Sequence, residues 1–433
     1  MLALIRTALN KTNNINRSTY LWNAINAGLS AALCPVILMV MNRTNGVYDA
    51  GVFSIAFAVA ALMLFVGQYG LRRYQSSDIH EKYSFPEYHG MRFLTCGAML
   101  IASAAYCFYG VFMRDYTLDK FLVILLICLL KEVQAYADVI HGHMQQKGRL
   151  DVAAKASAVR FLAELVSCCV ALIITHNLLI ASAVCLLTSV AVLLLTTVNA
   201  ARDYCGSLRP SLSRWACRQL LIDGFPLFAS LFLNMYISNA PKYAIDQYLN
   251  DEVQAYFNYI FMPAFAIQLI AYFIFNPILT TYARLWLSEK QEDLKKLRSL
   301  MRRQCVVLLG LTALAVLVAL TIGIPVLSFL FGVDLKGYRN DLCLLMVGGG
   351  LMAYGVFFNY VITIIREQKY LLISYGLTFL AAKALAGFFV VHYGITGAVI
   401  LYTVLMGVLA VMLAIVTVWK VRAHRAEIEK GAE

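Results

Sequence analysis

"SNAPKYAIDQYLNDEVQAYFNYI", residues Ser238 to Ile260, is a polar passage set between two long apolar stretches. Asn239, Pro241, Lys242, Asp246, Asn250, Asp251 and Glu252 interrupt the apolar run, and an aromatic-rich segment then turns apolar again. The passage reads either as an ordinary outer loop of a membrane protein or as the lining of something through which polar molecules pass. The rest of the chain decides between them.

The protein has 433 residues, of which 61% are hydrophobic and only 14% charged. A soluble domain carries about 25% charged residues, so composition and the mean hydropathy of +0.72 indicate a polytopic membrane protein. Segments of about 20 apolar residues, enough to cross a bilayer, are expected at 20–41, 51–70, 92–113, 121–144, 153–175, 178–200, 219–241, 253–277, 304–331, 341–365, 370–391 and 395–419. The fourth, fifth and seventh are interrupted by polar residues. The leading "MLALIRTALNKTNNINRS" is polar and basic rather than a cleavable leader, so the first span is expected to direct insertion.

Most of the 36 Lys and Arg residues fall in alternate connections, on the side of the N-terminus. The other connections hold only Arg43, Arg114, Lys120, Lys242, Lys336 and Arg339, and Lys131, Lys155, Arg160 and Lys383 lie within spans. By the positive-inside bias both termini are expected in the cytoplasm. The net charge of +12 follows from that bias and from attraction to anionic lipid head groups, so no nucleic-acid partner is needed to explain it. The eleven cysteines are scattered, without metal-like spacing, and read as small apolar fillers.

Six expected spans lie on each side of the polar, basic loop 201–218, "ARDYCGSLRPSLSRWACR". This suggests an N-terminal six-helix lobe over 1–205 and a C-terminal lobe with a cytoplasmic tail over 206–433. The halves echo each other: Ala50-Gly51-Val52-Phe53 aligns with Ala255-Tyr256-Phe257-Asn258. An even number of spans per half makes this a parallel repeat, as in transporters that rock two lobes about a central site. In the inner connection 282–303, Leu287, Leu294, Leu297 and Met301 have helical spacing, either an amphipathic helix on the inner leaflet or a solvated connector.

Charge at membrane depth costs several kcal/mol and asks for a partner or a wet cavity. In the fourth span Lys131, Gln134, Asp138 and His141 share one helical face, with Lys131 near the bilayer centre. Arg160 and Glu164 are spaced to pair along the fifth span. Lys383 has no acid on its own span. Asn23, Asn26, Asn234, Asn258, Gln268, Asn276 and Asn359 add amides that serve either as ties between helices or as cavity lining. Lys131, Arg160, Lys242 and Lys383 together suggest a cationic cavity suited to an anionic cargo such as a diphosphate or acidic sugar. The alternative for Arg160 with Glu164, and for Lys131 with Glu132 or Asp138, is a structural ion pair.

The expected outer connections are short, the longest being about ten residues between spans seven and eight and between nine and ten. The sequence has no nucleophile elbow, P-loop or HExxH motif, so an enzyme is not expected. A membrane glycosyltransferase or glycan ligase remains the alternative from another class. The 2–3 connection lacks the compact glycine, aspartate and arginine pattern of major-facilitator carriers.

"SNAPKYAIDQYLNDEVQAYFNYIFMP" resembles the start of the second half of polysaccharide and O-antigen flippases of the Wzx/PST type. "GVYDAGVFSIAFAVAALMLFVGQYGL" (46–71) is similar to the matching corner of the first half, and "HGHMQQKGRL" (141–150) to the end of span four. The resemblance implies an all-α protein of the MOP exporter superfamily, with twelve spans in two lobes and alternating access. It also implies undecaprenyl-diphosphate-linked oligosaccharide as cargo, the bacterial cytoplasmic membrane as location, and a polysaccharide polymerase as a possible neighbour. Lys242 matches the family's basic corner position. The expected substrate-binding residues are Lys131, Arg160, Lys242, Lys383, Asn234 and Asn258. Glu132, Asp138 and Glu164 are candidates for coupling to H+ or Na+, with no cofactor or metal. A MATE-like drug or cation antiporter of the same superfamily is the second transporter reading, and would prefer acids in its cavity. On this reading the opening passage is an outer corner that rims a wet cavity.

Overall fold

The computed structural model describes residues 2–78, 82–275, 279–288 and 291–431, and every regular element among them is helical. The chain divides into two compact units, Met1–Phe232 and Leu233–Glu433. The first contains α1 (Leu2–Asn10), α2 (Ile15–Thr44), α3 (Val47–Gln68), α4 (Leu71–Ser77), α5 (Phe85–Arg114), α6 (Leu118–Gln146), α7 (Leu150–Thr175) and α8 (Leu178–Ala201). Helix α9 (Arg214–Tyr248) begins in the first unit and ends in the second. The second unit continues with α10 (Asp251–Phe275), α11 (Leu279–Leu287), α12 (Gln291–Phe331), α13 (Arg339–Ile364) and α14 (Gln368–Gly431).

Nine described segments are long and apolar enough to cross a membrane. The charged α6 and aromatic α10 add two more. The last of the nine is two arms of α14 joined at Gly394, whose backbone (φ 56°, ψ −129°) is non-helical. Twelve spanning helices result. The order of elements repeats: two long helices, a short one (α4 or α11), then four long ones. Helix α3 packs on α5 and α6 in the first unit, and α10 packs on α12 and α13 in the second.

Local chemistry sets the ends. Asn177 Oδ1 accepts from the Ile180 amide at 3.0 Å, Asn250 Oδ1 from the Val253 amide at 2.9 Å, and the Ser84 amide donates to Glu87 Oε2 at 2.8 Å. Each supplies a bond that a helix start lacks internally.

The opening passage is not a loop. Ser238 to Tyr248 complete α9, only Leu249 and Asn250 intervene, and Asp251 begins α10. The expected ten-residue connection is thus two residues long, because Asn239, Lys242 and Asp246 are buried on a helix instead of solvated. Lys120, also assigned to an outer loop, is buried in the first turns of α6, with its ammonium 4.3 Å from the Tyr116 ring. The amphipathic segment expected over 282–303 is divided. Its start ends α11, and from Gln291 it runs on into the ninth span, burying Leu294 and Leu297.

The turn at Gly394 has no loop to absorb strain. Its φ and ψ lie where essentially only glycine is found, at a cost of about 1–3 kcal/mol for other residues. At Gly397 a Cβ would collide with the Phe389 carbonyl oxygen. Gly394→Ala is expected to lower stability by about 1–3 kcal/mol and Gly397→Ala by more, read as thermal midpoints of the purified protein in detergent. Unchanged midpoints would mean that the two arms are held by packing alone.

Candidate functional site

In the first unit, the α6 face predicted from spacing is real. Lys131, Asp138 and His141 are buried, but they do not form one cluster. Lys131 Nζ donates to Gln134 Oε1 at 3.3 Å and lies 4.6 Å from the centroid of Phe57 on α3. His141 Nε2 hydrogen-bonds Thr197 Oγ1 at 3.1 Å, which ties α6 to α8.

Arg160 and Glu164 do pair on α7, Nη1 to Oε1, at 2.5 Å, and Ser189 Oγ on α8 donates to the same carboxylate oxygen at 2.6 Å. Lys131 lies within electrostatic reach of both Arg160 and Glu164. One carboxylate therefore stands against two cations, and the cluster keeps a net positive charge when all three groups are ionised.

Asp138 is engaged elsewhere. Its Oδ2 accepts from Arg92 Nη2 at 3.1 Å and its Oδ1 from Arg72 Nη1 at 3.4 Å. Arg92 is fully buried and also donates to the Gly67 carbonyl, which Thr95 Oγ1 shares at 2.7 Å. Sequence reading missed Arg92 because it stands at the first position of an expected span, where it counts as an inner-loop charge. Glu132 is half-buried, with no hydrogen bond or ion pair among the described residues.

In the second unit, Ser238, Lys242 and Asp246 recur every four residues along α9, all buried. On α10 Gln254, Asn258, Phe261 and Phe265 share one face. The faces meet at Lys242, whose ammonium lies 5.1 Å from the Phe261 ring and 5.7 Å from Phe265. Gln254 and Asn258 are buried, yet Gln254 Nε2 and Oε1 and Asn258 Nδ2 have no protein hydrogen-bond partner. A buried polar group left this way costs about 1–3 kcal/mol, so these amides hold unused hydrogen-bonding capacity.

Gln254 was not singled out from sequence; its four-residue spacing from Asn258 is the signal that would have found it. Asn234 is half-buried and its carbonyl accepts from Ser238 Oγ at 2.8 Å. Lys383 is exposed and lies 5.1 Å from the ring of Tyr236, which meets Phe379 edge-on at 4.8 Å.

Three membrane-depth lysines, Lys131, Lys242 and Lys383, therefore rest on aromatic rings. A desolvated cation–π contact gives about 2 kcal/mol. It eases the burial of an ammonium without neutralising it. Of the other amides, Asn359 Nδ2 donates to Tyr375 OH at 2.6 Å and ties α13 to α14, whereas Asn23 Nδ2 donates to the Thr19 carbonyl at 2.8 Å within α2. Asn276 lies outside the described residues. No group of three or more His, Cys, Asp or Glu side chains among the described residues is placed to hold a metal ion.

The chain is similar in structure to a multidrug-resistance MATE family transporter of the MOP superfamily in its inward-facing conformation. The TM-score is 0.68 at 15% identity, covering 95% of this chain and 100% of that one. The fold is that of the MOP-superfamily transporters. An outward-facing multidrug-resistance MATE transporter matches with a TM-score of 0.58 at 15% identity, over 99% of this chain and 98% of the other. A MOP superfamily transporter from Pyrococcus furiosus, described as having a binding pocket of reversed polarity that suggests a different function, matches with a TM-score of 0.53 at 15% identity, over 98% of both chains. No family model and no curated protein matches the sequence. The MOP fold makes this a multi-pass membrane protein, and the solved structures that share the fold here are described as transporters.

Proposed function

We propose that this chain is a flippase of the Wzx/PST type. It moves an anionic, undecaprenyl-diphosphate-linked oligosaccharide from the inner to the outer leaflet of a bacterial cytoplasmic membrane by alternating access. The observation that carries this reading is the set of buried or membrane-depth cations in excess of acids. Arg160 is paired with Glu164, and Lys131, Lys242 and Lys383 lie on aromatic rings. A phosphate oxygen forms strong charge-assisted hydrogen bonds with cations of this kind. The unsatisfied amides of Gln254 and Asn258 would suit sugar hydroxyls, which both donate and accept, in a conformation that uncovers them.

The named relatives favour a second reading, a drug or cation antiporter, since two of them are multidrug-resistance transporters. The reversed pocket polarity described for the Pyrococcus furiosus protein supports a broader view, in which this fold serves cargo of more than one charge.

The test is the sidedness of polyprenyl-diphosphate glycan in cells with and without the protein, read with a membrane-impermeant sugar-modifying reagent. Glycan confined to the cytoplasmic side only in the deletion strain is the expected result. Unchanged sidedness with altered efflux of a cationic dye would support the antiporter instead.

A further inference from the structure

A second region of the first unit, apart from the buried charges above, is shaped for a ligand. Helices α1, α2 and α7 and the end of α8 enclose a groove of about 950 Å3, within the roughly 300–1,000 Å3 of small-molecule sites. Leu21, Trp22, Val159, Val192 and Leu195 form an apolar wall, while Lys11 and Arg17 stand on its rim. None of the lining residues is acidic. Lys11 and Arg17 are exposed, and neither side chain has an ion pair or hydrogen bond among the described residues.

The rim is built rather than loose. Lys155 Nζ donates to the carbonyls of Leu9 and Lys11 at 3.0 and 3.1 Å and to Thr12 Oγ1 at 2.7 Å. Thr12 Oγ1 in turn donates to Asp151 Oδ2 at 2.8 Å. The turn that carries Lys11 is thereby pinned to α7. On the far wall, residues Leu194–Val198 of α8 form a π-helical turn, a local widening frequent at functional sites.

We propose that this groove binds an anionic phospholipid of the leaflet nearest the N-terminus, its phosphodiester between Lys11 and Arg17 and an acyl chain along Leu21, Trp22 and Val159. Charge complementarity selects the occupant, because two unpaired cations over an acid-free apolar wall match an anionic head on an apolar tail. A zwitterionic lipid has the same tail but no net charge to hold.

The proposal does not depend on the cargo assigned above. Trp22 reports on it directly. In full-length protein retaining Trp22 alone (Trp215→Phe, Trp286→Phe, Trp419→Phe), reconstituted in phosphatidylcholine bilayers, brominated phosphatidylglycerol should quench Trp22 at far lower mole fraction than brominated phosphatidylcholine. At about 1 kcal/mol per basic residue near the surface, two residues give a preference of roughly thirty-fold. Lys11→Gln with Arg17→Gln, both exposed positions, should erase it. Equal quenching by the two lipids, or a preference that survives the double substitution, would overturn the proposal. So would loss of the preference on adding inorganic phosphate at matched ionic strength, since the site would then take free phosphate rather than lipid.

Discussion

On the flippase reading, cells whose only copy of this protein carries Lys131→Ala and Lys383→Ala are expected to retain the protein in the membrane and lose glycan export. Lys131 is buried on α6 against Phe57, and Lys383 is exposed beside Tyr236. If each lysine contributes one charge-assisted contact during transport, worth about 2 kcal/mol, losing both slows transport about a thousandfold. The impermeant reagent should then find almost no labelled lipid-linked glycan outside.

Because alanine removes packing at Lys131 as well as charge, Lys131→Met is the companion variant. It keeps an unbranched apolar stem and removes the desolvation cost of the ammonium. Failure of export in both variants, with membrane levels unchanged, supports cation–cargo contact. Full export by the Ala pair would sink the cationic-site reading. A MATE-like antiporter predicts the opposite sign, with cationic dye efflux maintained or improved once the positive charges are gone.

Asp138→Asn is expected to destabilise the first unit by about 3–5 kcal/mol, the loss found when one partner of a buried ion pair is removed. Arg92 is fully buried, and Asp138 is the carboxylate that faces it at 3.1 Å. With an amide in place of that carboxylate, the buried guanidinium keeps only the Gly67 carbonyl and a single neutral amide oxygen. Adding Arg92→Met should restore much of the loss, because well-packed apolar groups often replace a buried pair at little cost. Thermal midpoints in detergent for the single and double variants give the comparison. This geometry favours a structural duty for Asp138 over the coupling duty read from sequence. An Asp138→Asn protein of unchanged stability whose transport no longer responds to a proton or Na+ gradient would reverse that preference. Glu132, half-buried and without a bonded partner among the described residues, is then the next candidate for coupling.

Twelve spans were legible in the sequence because hydrophobic length is a one-dimensional property, and even the hairpin at Gly394 left its mark as a break between the last two apolar runs. The passage at Ser238 was misread as a loop for a physical reason. Polarity signals solvent only where no neighbouring helix stands by, and here α10 brings Phe261 and Phe265 to cover Lys242. Spacing along one helix foretold Arg160 with Glu164. It gave no sign of Arg92 with Asp138, or of Ser189 with Glu164, since those partners are 46 and 25 residues apart and meet only through tertiary packing. Aromatic partners for lysine were equally hidden, because a ring looks like ordinary core until the fold places it beneath an ammonium.

On the flippase reading, the membrane-depth lysines have an electrical consequence. Fixed cations stay with the protein, so a departing diphosphate takes its negative charge with it. In a cell whose interior is negative, each such charge leaving gains about 2.3 kcal/mol per 100 mV, or roughly 5 kcal/mol for two. On the flippase reading, the resting voltage would itself be a power source for export, and collapsing it with an ionophore would stall the cycle even with every gradient of H+ and Na+ restored.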